Sequence, residues 1–400
     1  MLNKDKYTIT EWYGVPQKYI VDEKGDIAEF RLREMADAGF TLISIAYTPE
    51  INKKVLAACE KYGLQCTVED SRLRKAMKLD EGWEDIVASV VNDYKDYPAL
   101  FNYHVVDEPN SSAFPMLRAI SDKLLELDPA HEPYINLFPN YASQKQLGNE
   151  SYREHVEQFI REVKPTLVSY DHYHFCKNAD GVDFDRYGFF DNIEEIRRAS
   201  LANGLPYLVI VLLCEHGCYR YLTEAEIRWE AFQSLAYGAN AVSYFTYWTP
   251  SGDNDEFWKW REAMISVDGE KCRHYDDVKR VNASLQKVGT QLLGAKSEAV
   301  FHVGNCDENV TYFSGYGKLD SVECRSPESA ECAGLTIGFF DNGKILIANK
   351  DHEKPALVTL GTSAKIKIFT PDITDSGAWG WLEGNKFSLL PGDGMLIELV

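Results

Sequence analysis

Long apolar runs are missing from this 400-residue chain. No stretch has the length and apolarity of a membrane span. The opening MLNKDKYTIT lacks the apolar core of a secretory leader. The expected compartment is the cytoplasm, or the exterior if a leader was removed before this numbering starts. Basic charge is also scarce: 42 Lys and Arg stand against 62 Asp and Glu, a net charge of -20. Nucleic-acid binders displace counterions with basic patches, so nucleic acid is not an expected partner. Anionic membranes are disfavoured for the same reason, and a neutral substrate fits better. The 9 cysteines are an odd number and widely spread, so they imply no disulfide framework. Cys324 and Cys332 are candidates to pair in an oxidising compartment. Low-complexity tracts are absent. Nothing in the chain indicates an oligomeric state.

What the chain does have is alternation. Strand-like runs at 7–15, 40–47, 64–68, 100–106, 133–138, 166–170, 205–213 and 239–244 are separated by helical periodicities. The helices carry punctuation. Gly39, Gly63, Gly204 and Gly238 follow periodic segments, Asp128-Pro129 stops another, and Thr223 with Glu226 spells a capping box. Eight strand–helix repeats predict an α/β fold, a closed (β/α)₈ TIM barrel. An open dinucleotide-binding sheet would carry a Gly-rich turn after its first strand. That position reads Tyr13-Gly14-Val15-Pro16 instead. Helical stretches are expected around Asp255–Met264 and Tyr275–Leu293. After Gly294 the texture changes to short strands, including Thr311–Phe313, with turns at Asp341-Asn342-Gly343 and Pro391-Gly392-Asp393-Gly394. The expected domains are a barrel over 1–294 and a C-terminal all-β, sandwich-like unit over 295–400.

Barrel chemistry sits at the C-terminal ends of strands. Those ends here are Glu11-Trp12, Glu50, Glu69-Asp70, Asp107-Glu108, Asn140, Asp171-His172, Glu215-His216 and Tyr247-Trp248. The mouth is acidic and aromatic, with few bases and no evident nucleophilic Ser. Glycosidic bonds suit it: one protonated carboxyl donates to the leaving oxygen, and one carboxylate attacks or stabilises the cation-like sugar. Pro109 cannot donate to a ladder and extends its predecessor, so Glu108 is expected where a strand gives way to a loop.

Glu108 ending the fourth strand and Glu215 ending the seventh resemble the acid/base and nucleophile of clan A retaining glycoside hydrolases, among them cellulase-like enzymes and family 42 β-galactosidases. The resemblance implies a hydrolase of neutral oligo- or polysaccharides working by double displacement with two glutamates. In that family an Asn usually precedes the acid/base and contacts the sugar 2-hydroxyl; here it is Asp107. Asp107 either raises the Glu108 pKa by its charge or pairs with a base such as Arg72.

Candidate substrate-binding residues are Asp107, Glu11, Trp12, Asn140, Asp171, His172, Tyr173, His216, Tyr247 and Trp248. Asp171, His172 and Tyr173 bind hydroxyls or orient Glu215, or serve structure alone. Tyr247 and Trp248 form a sugar platform or cap the barrel. His104 is expected on the face of Glu108, deeper and hydrogen-bonded. His172, His174 and Cys176 alternate, as do Cys214, His216 and Cys218, which admits a metal-dependent hydrolase. Strand one lacks the His-x-His of such barrels, so no metal and no cofactor is expected. The remaining alternative is a carbohydrate-binding barrel without turnover.

Overall fold

Eight short runs rich in β-branched and aromatic residues become parallel strands. They are β1 (Thr8–Trp12), β2 (Leu42–Ile45), β3 (Gln65–Glu69), β4 (Leu100–Asp107), β5 (Glu132–Leu137), β6 (Val168–Asp171), β9 (Tyr207–Leu212) and β10 (Ala241–Phe245). Their order is β1-β10-β9-β6-β5-β4-β3-β2. Between β6 and the following helix lies an antiparallel hairpin, β7 (Phe175–Lys177) with β8 (Asp183–Asp185). The computed structural model describes residues 2–251, 258–327, 334–372 and 374–400.

The ring closes between β1 and β2 partly through side chains. Thr41 N donates to Ile9 O at 2.9 Å and Ile9 N to Thr41 Oγ1 at 3.0 Å. Ser44 N donates to Glu11 Oε1 at 2.7 Å, and Ser44 Oγ to Glu11 O at 2.9 Å. The Glu11 carboxyl thus takes the place of a ladder acceptor. Gly14 folds back over it: a Cβ there would lie 2.8 Å from Glu11 Oε1 and 2.9 Å from Ser44 O.

Eight longer helices surround the strands: α1 (Glu29–Asp37), α2 (Pro49–Cys59), α3 (Trp83–Tyr94), α4 (Phe114–Leu127), α5 (Tyr152–Val163), α6 (Phe189–Asn203), α7 (Glu224–Tyr237) and α8 (Arg273–Thr290). In α7 the Thr223–Glu226 capping box forms as read from the sequence, and Gly238 ends the helix at φ +95°. That helix has no polar stripe. Its outer face is covered by the C-terminal strands, so it is buried all round. Trp229 Nε1 donates to Lys350 O at 2.9 Å and Gln233 Nε2 to Asn349 O at 3.1 Å. A side chain at Gly338 would overlap the Ala236 carbonyl, which fixes how closely the sheet presses on α7. Truncating Trp229 to Ala would cost about 3–5 kcal/mol by the usual rule for large buried aromatics.

The C-terminal strands are antiparallel. β11 (Ser297–Val303), β13 (Leu335–Phe340), β14 (Lys344–Asn349), β19 (Gly394–Leu399), β16 (Ile366–Thr370) and β17 (Ala378–Trp381) form one sheet in that order. β12 (Ser321–Arg325), β15 (Ala356–Gly361) and β18 (Lys386–Leu389) form a second. Along β14, Ile345 and Ile347 join the core between the sheets, while Leu346 and Ala348 join the barrel core. Both faces of β13 and β14 are buried, so these two strands read as apolar runs, while β15 and β18 alternate.

Three expectations need correction or fall outside. Thr311–Phe313 is no strand; Tyr312 makes one isolated bridge to His302. Of the helix expected over Asp255–Met264, residues 255–257 lie outside the described residues, and 259–264 is irregular. Cys332 lies outside them too, and with it the Cys324–Cys332 pairing. No helix among the described residues is long and apolar enough to cross a membrane.

Candidate active site

β4 stops on Asp107, and Glu108 then enters the left-handed region at φ +46°. An L-residue there is strained by roughly 1–2 kcal/mol. Its backbone stays anchored, since Glu108 N donates to Asn136 O of β5 at 2.9 Å. Further back, the β4–β5 register shifts between His104 and Val106. A bulge of this kind re-aims side chains and breaks strict alternation. His104 is buried and hydrogen-bonded as expected, with Nδ1 3.3 Å from Glu69 Oε2, but it also lines a cavity at the barrel mouth.

Three carboxyls gather around one amide. Asn136 Nδ2 donates to Asp107 Oδ1 and to Asp171 Oδ1, each at 3.1 Å. Asn136 Oδ1 accepts from Ser169 Oγ at 2.8 Å, which fixes the amide's orientation. Asp171 hydrogen-bonds Glu108. Burial raises the Glu108 carboxyl to about 7, with the Asp107 charge as second cause. Asp171 is raised well above the usual range, by burial and then by the charges of Glu108 and Asp107. Asp107 opens one edge to solvent, yet protein on its other sides raises its carboxyl as well. Arg72 does not reach Asp107. It is committed to Asp70 and Asp93, at 2.8 Å each.

The cavity has a volume of about 320 Å³ and lies on the β1–β5 side of this cluster. Trp12 forms one wall, edge-on to His104 with ring centroids 5.1 Å apart. Tyr134 forms another, and Glu69 reaches in from the end of β3. Glu69 is also paired with Arg74. Its carboxyl is held below its ordinary value, chiefly by the His104 hydrogen bond.

On the other side, Glu215 follows β9. Its carboxylate pairs with Lys177 of the β7–β8 hairpin, and its backbone oxygen accepts from Arg261 N at 2.9 Å. His216 donates Nδ1–H to Cys214 O at 2.7 Å, and its ring stacks on Trp260 at 4.5 Å. Burial lowers its pKa to about 4, so it is a neutral part of an aromatic wall. Tyr173 completes that wall against Phe245 and Tyr219.

Five predicted binding residues are placed elsewhere. Glu11 is 1% exposed at the barrel seam, where burial pushes its carboxyl up to about 8. Asn140 spends its amide on Gly188 O, at 2.8 Å. His172 turns towards α6, with Nδ1 3.0 Å from Asn192 Oδ1. Tyr247 and Trp248 cap the flank instead of offering a platform. Both are fully buried, Tyr247 against Phe40 and Trp248 against Tyr19 and Arg31. The alternating His and Cys residues diverge: His174 stacks on Trp229 while His172 faces Asn192. Among the described residues no group of His, Cys, Asp and Glu converges as a metal set. Asn136, Lys177 and Trp260 were missed. Asn136 alone left a signal, an amide inside the apolar run Pro133–Phe138.

No protein-family description matches the chain, and no curated protein matches its sequence. Solved structures do match its fold. A glycoside hydrolase superposes with a TM-score of 0.59 at 11% identity, over 98% of this chain and 92% of that one. A family 5 glycoside hydrolase from Bacteroides vulgatus gives 0.56 at 10%, over 98% and 89%. A family 5 mannosidase from Rhizomucor miehei gives 0.51 at 11%, over 72% and 94%. At these identities the likeness is one of fold alone.

Proposed function

We propose that this chain is a glycoside hydrolase that cleaves O-glycosidic bonds of an oligo- or polysaccharide with retention of configuration. Glu108 is the acid/base and Glu215 the nucleophile. The observation that carries the reading is Glu108 itself: a strained, half-buried carboxyl raised to about 7 at the end of a barrel strand. Strained backbone of this kind clusters at active sites. A general acid at neutral pH needs such a pKa. The sugar in the cavity is neutral, since Glu69 and Asp107 would repel an anion there. Trp12 and Tyr134 offer ring faces for its C–H groups, and Glu69 and His104 offer hydroxyl contacts.

Double displacement asks that the two carboxyls approach to about 5–5.5 Å around the substrate. In the ring, β5 and β6 separate β4 from β9, the two strands that these glutamates follow. One observation favours the alternative of a sugar-binding barrel without turnover: Lys177 neutralises Glu215. A panel of aryl glycosides separates the two readings. Turnover with the first-formed anomer unchanged by NMR supports retention; an inverted anomer removes Glu215 as nucleophile. Binding without turnover of any member leaves the alternative.

A further inference from the structure

Most arginines of this acidic chain are ion-paired, as Arg72, Arg153, Arg197 and Arg220 are. Arg186 is different. It follows β8 in the inserted hairpin, and its backbone is pinned by Arg186 N donating to His174 O at 2.7 Å. Its guanidinium lies 4.0 Å from the Tyr141 ring centroid and 5.2 Å from that of Tyr219. The hydrogen bonds of its side chain go to thiols, from Nη2 to Cys218 Sγ at 3.6 Å and to Cys176. Among the described residues no carboxylate forms an ion pair with it.

The rings hold the cation by its charge, and thiols are weak acceptors, so the guanidinium keeps N–H capacity for a stronger partner. Half-burial makes an unfilled fork costly and limits where it can point. The Tyr141 ring stands between the guanidinium and the carboxyl cluster. Tyr141 Oη accepts from Tyr173 N at 3.4 Å, and the Asp171 charge is felt at the Tyr141 hydroxyl. So the cavity lies on the β1–β5 side of Asp107, Asn136 and Asp171, and Arg186 on the β6 side. A saccharide crossing the cluster seats one ring in the cavity and the next beside Arg186.

We propose that Arg186 receives the carboxylate of a uronic acid adjoining the cavity. The enzyme then selects an acidic sugar on one side of the cleaved bond and a neutral one on the other. This rests on the saccharide reading above. A planar carboxylate matches the guanidinium fork with two parallel hydrogen bonds. It also explains how an anion is held beside a mouth whose other charges would expel it.

The test uses disaccharides ending in a uronic acid, each paired with its carboxyl-reduced counterpart, on the full chain. The acidic member should be favoured by about tenfold or more in kcat/KM, mostly through KM. Arg186→Gln should erase that preference and slow the acidic member far more than the reduced one. Arg186→Lys should restore part of it. Preference for the reduced member, or equal losses on both, overturns the proposal. Calorimetric titration of the same pairs separates it from the hydrolase reading. Acid-selective binding lost in Arg186→Gln without any turnover upholds the Arg186 site and removes hydrolysis. Equal or absent binding of both members overturns the Arg186 site.

Discussion

Two glutamates end two strands of one barrel, and their surroundings are opposite. Glu108 sits among carboxyls, and among the described residues neither it nor Asp107 nor Asp171 pairs with Lys or Arg. Glu215 is paired with Lys177 and backed by an aromatic wall. Burial and like charge favour the neutral acid at Glu108. One residue type thus stands among carboxyls at one strand end and beside an ammonium at the other. The proposed double displacement assigns the first to give the proton and the second to attack.

The sharpest way to break the comparison is to delete each partner. Glu215→Ala should lower turnover of all substrates by about 10³-fold or more. Glu108→Ala should do the same for poor leaving groups, spare activated aryl glycosides, and be partly rescued by azide. Equal, mild losses in both would sink the assignment. Lys177→Met should be smaller, about tenfold in kcat with little change in KM, because it removes an orienting ion pair. A rise in activity would show instead that Lys177 holds Glu215 idle.

Asn136→Ala attacks the other side. It removes the donor shared by Asp107 and Asp171, and should cost about 1–3 kcal/mol of transition-state stabilisation, read from kcat/KM. The pH profile sharpens the contrast further. Glu108 must be protonated to act as acid, so activity should fall as pH rises through about 7. Asp107→Asn removes one raising charge and should move that limb to lower pH. Burial, the larger cause, remains, so the limb should not return to the ordinary value. A limb that does not move would assign it to another group.

The last contrast concerns stability and leaves turnover aside. Glu11 is raised from 4.5 to about 8. Between those values the unfolded chain has lost the proton that the folded chain keeps, so stability falls as pH rises across the window. The slope is about 1.4 kcal/mol per pH unit for one proton. Glu11→Gln should flatten thermal midpoints over that range, and an unchanged slope would acquit the seam carboxyl.

Much of the barrel was legible because its signals are local. α3, α4 and α5 fall on the residues that the periodicity marked, and the α7 capping box lies within four residues. Glu108 was legible because Pro109 ends the strand beside it. Trp248 was not: its position after a strand says mouth, and only Tyr19 and Arg31 from the first turn of the chain say flank. His172 and Asn140 failed in the same way, claimed by α6 and the loop before it.

The sequence by itself determined that eight strands and their helices alternate, that carboxyls crowd the strand ends, and that Asp107 stands beside Glu108. Each follows from hydrogen bonds, periodicity or sterics within a few residues. The tertiary structure alone decided which strand-end groups meet. A bulge turned His104 and Asp107 to one mouth, Asn136 tied β4 to β6, and Lys177 reached Glu215 across 38 residues. Those are distances between strands. The pairing register and packing that set them sum over the whole barrel, and no local run of residues encodes them.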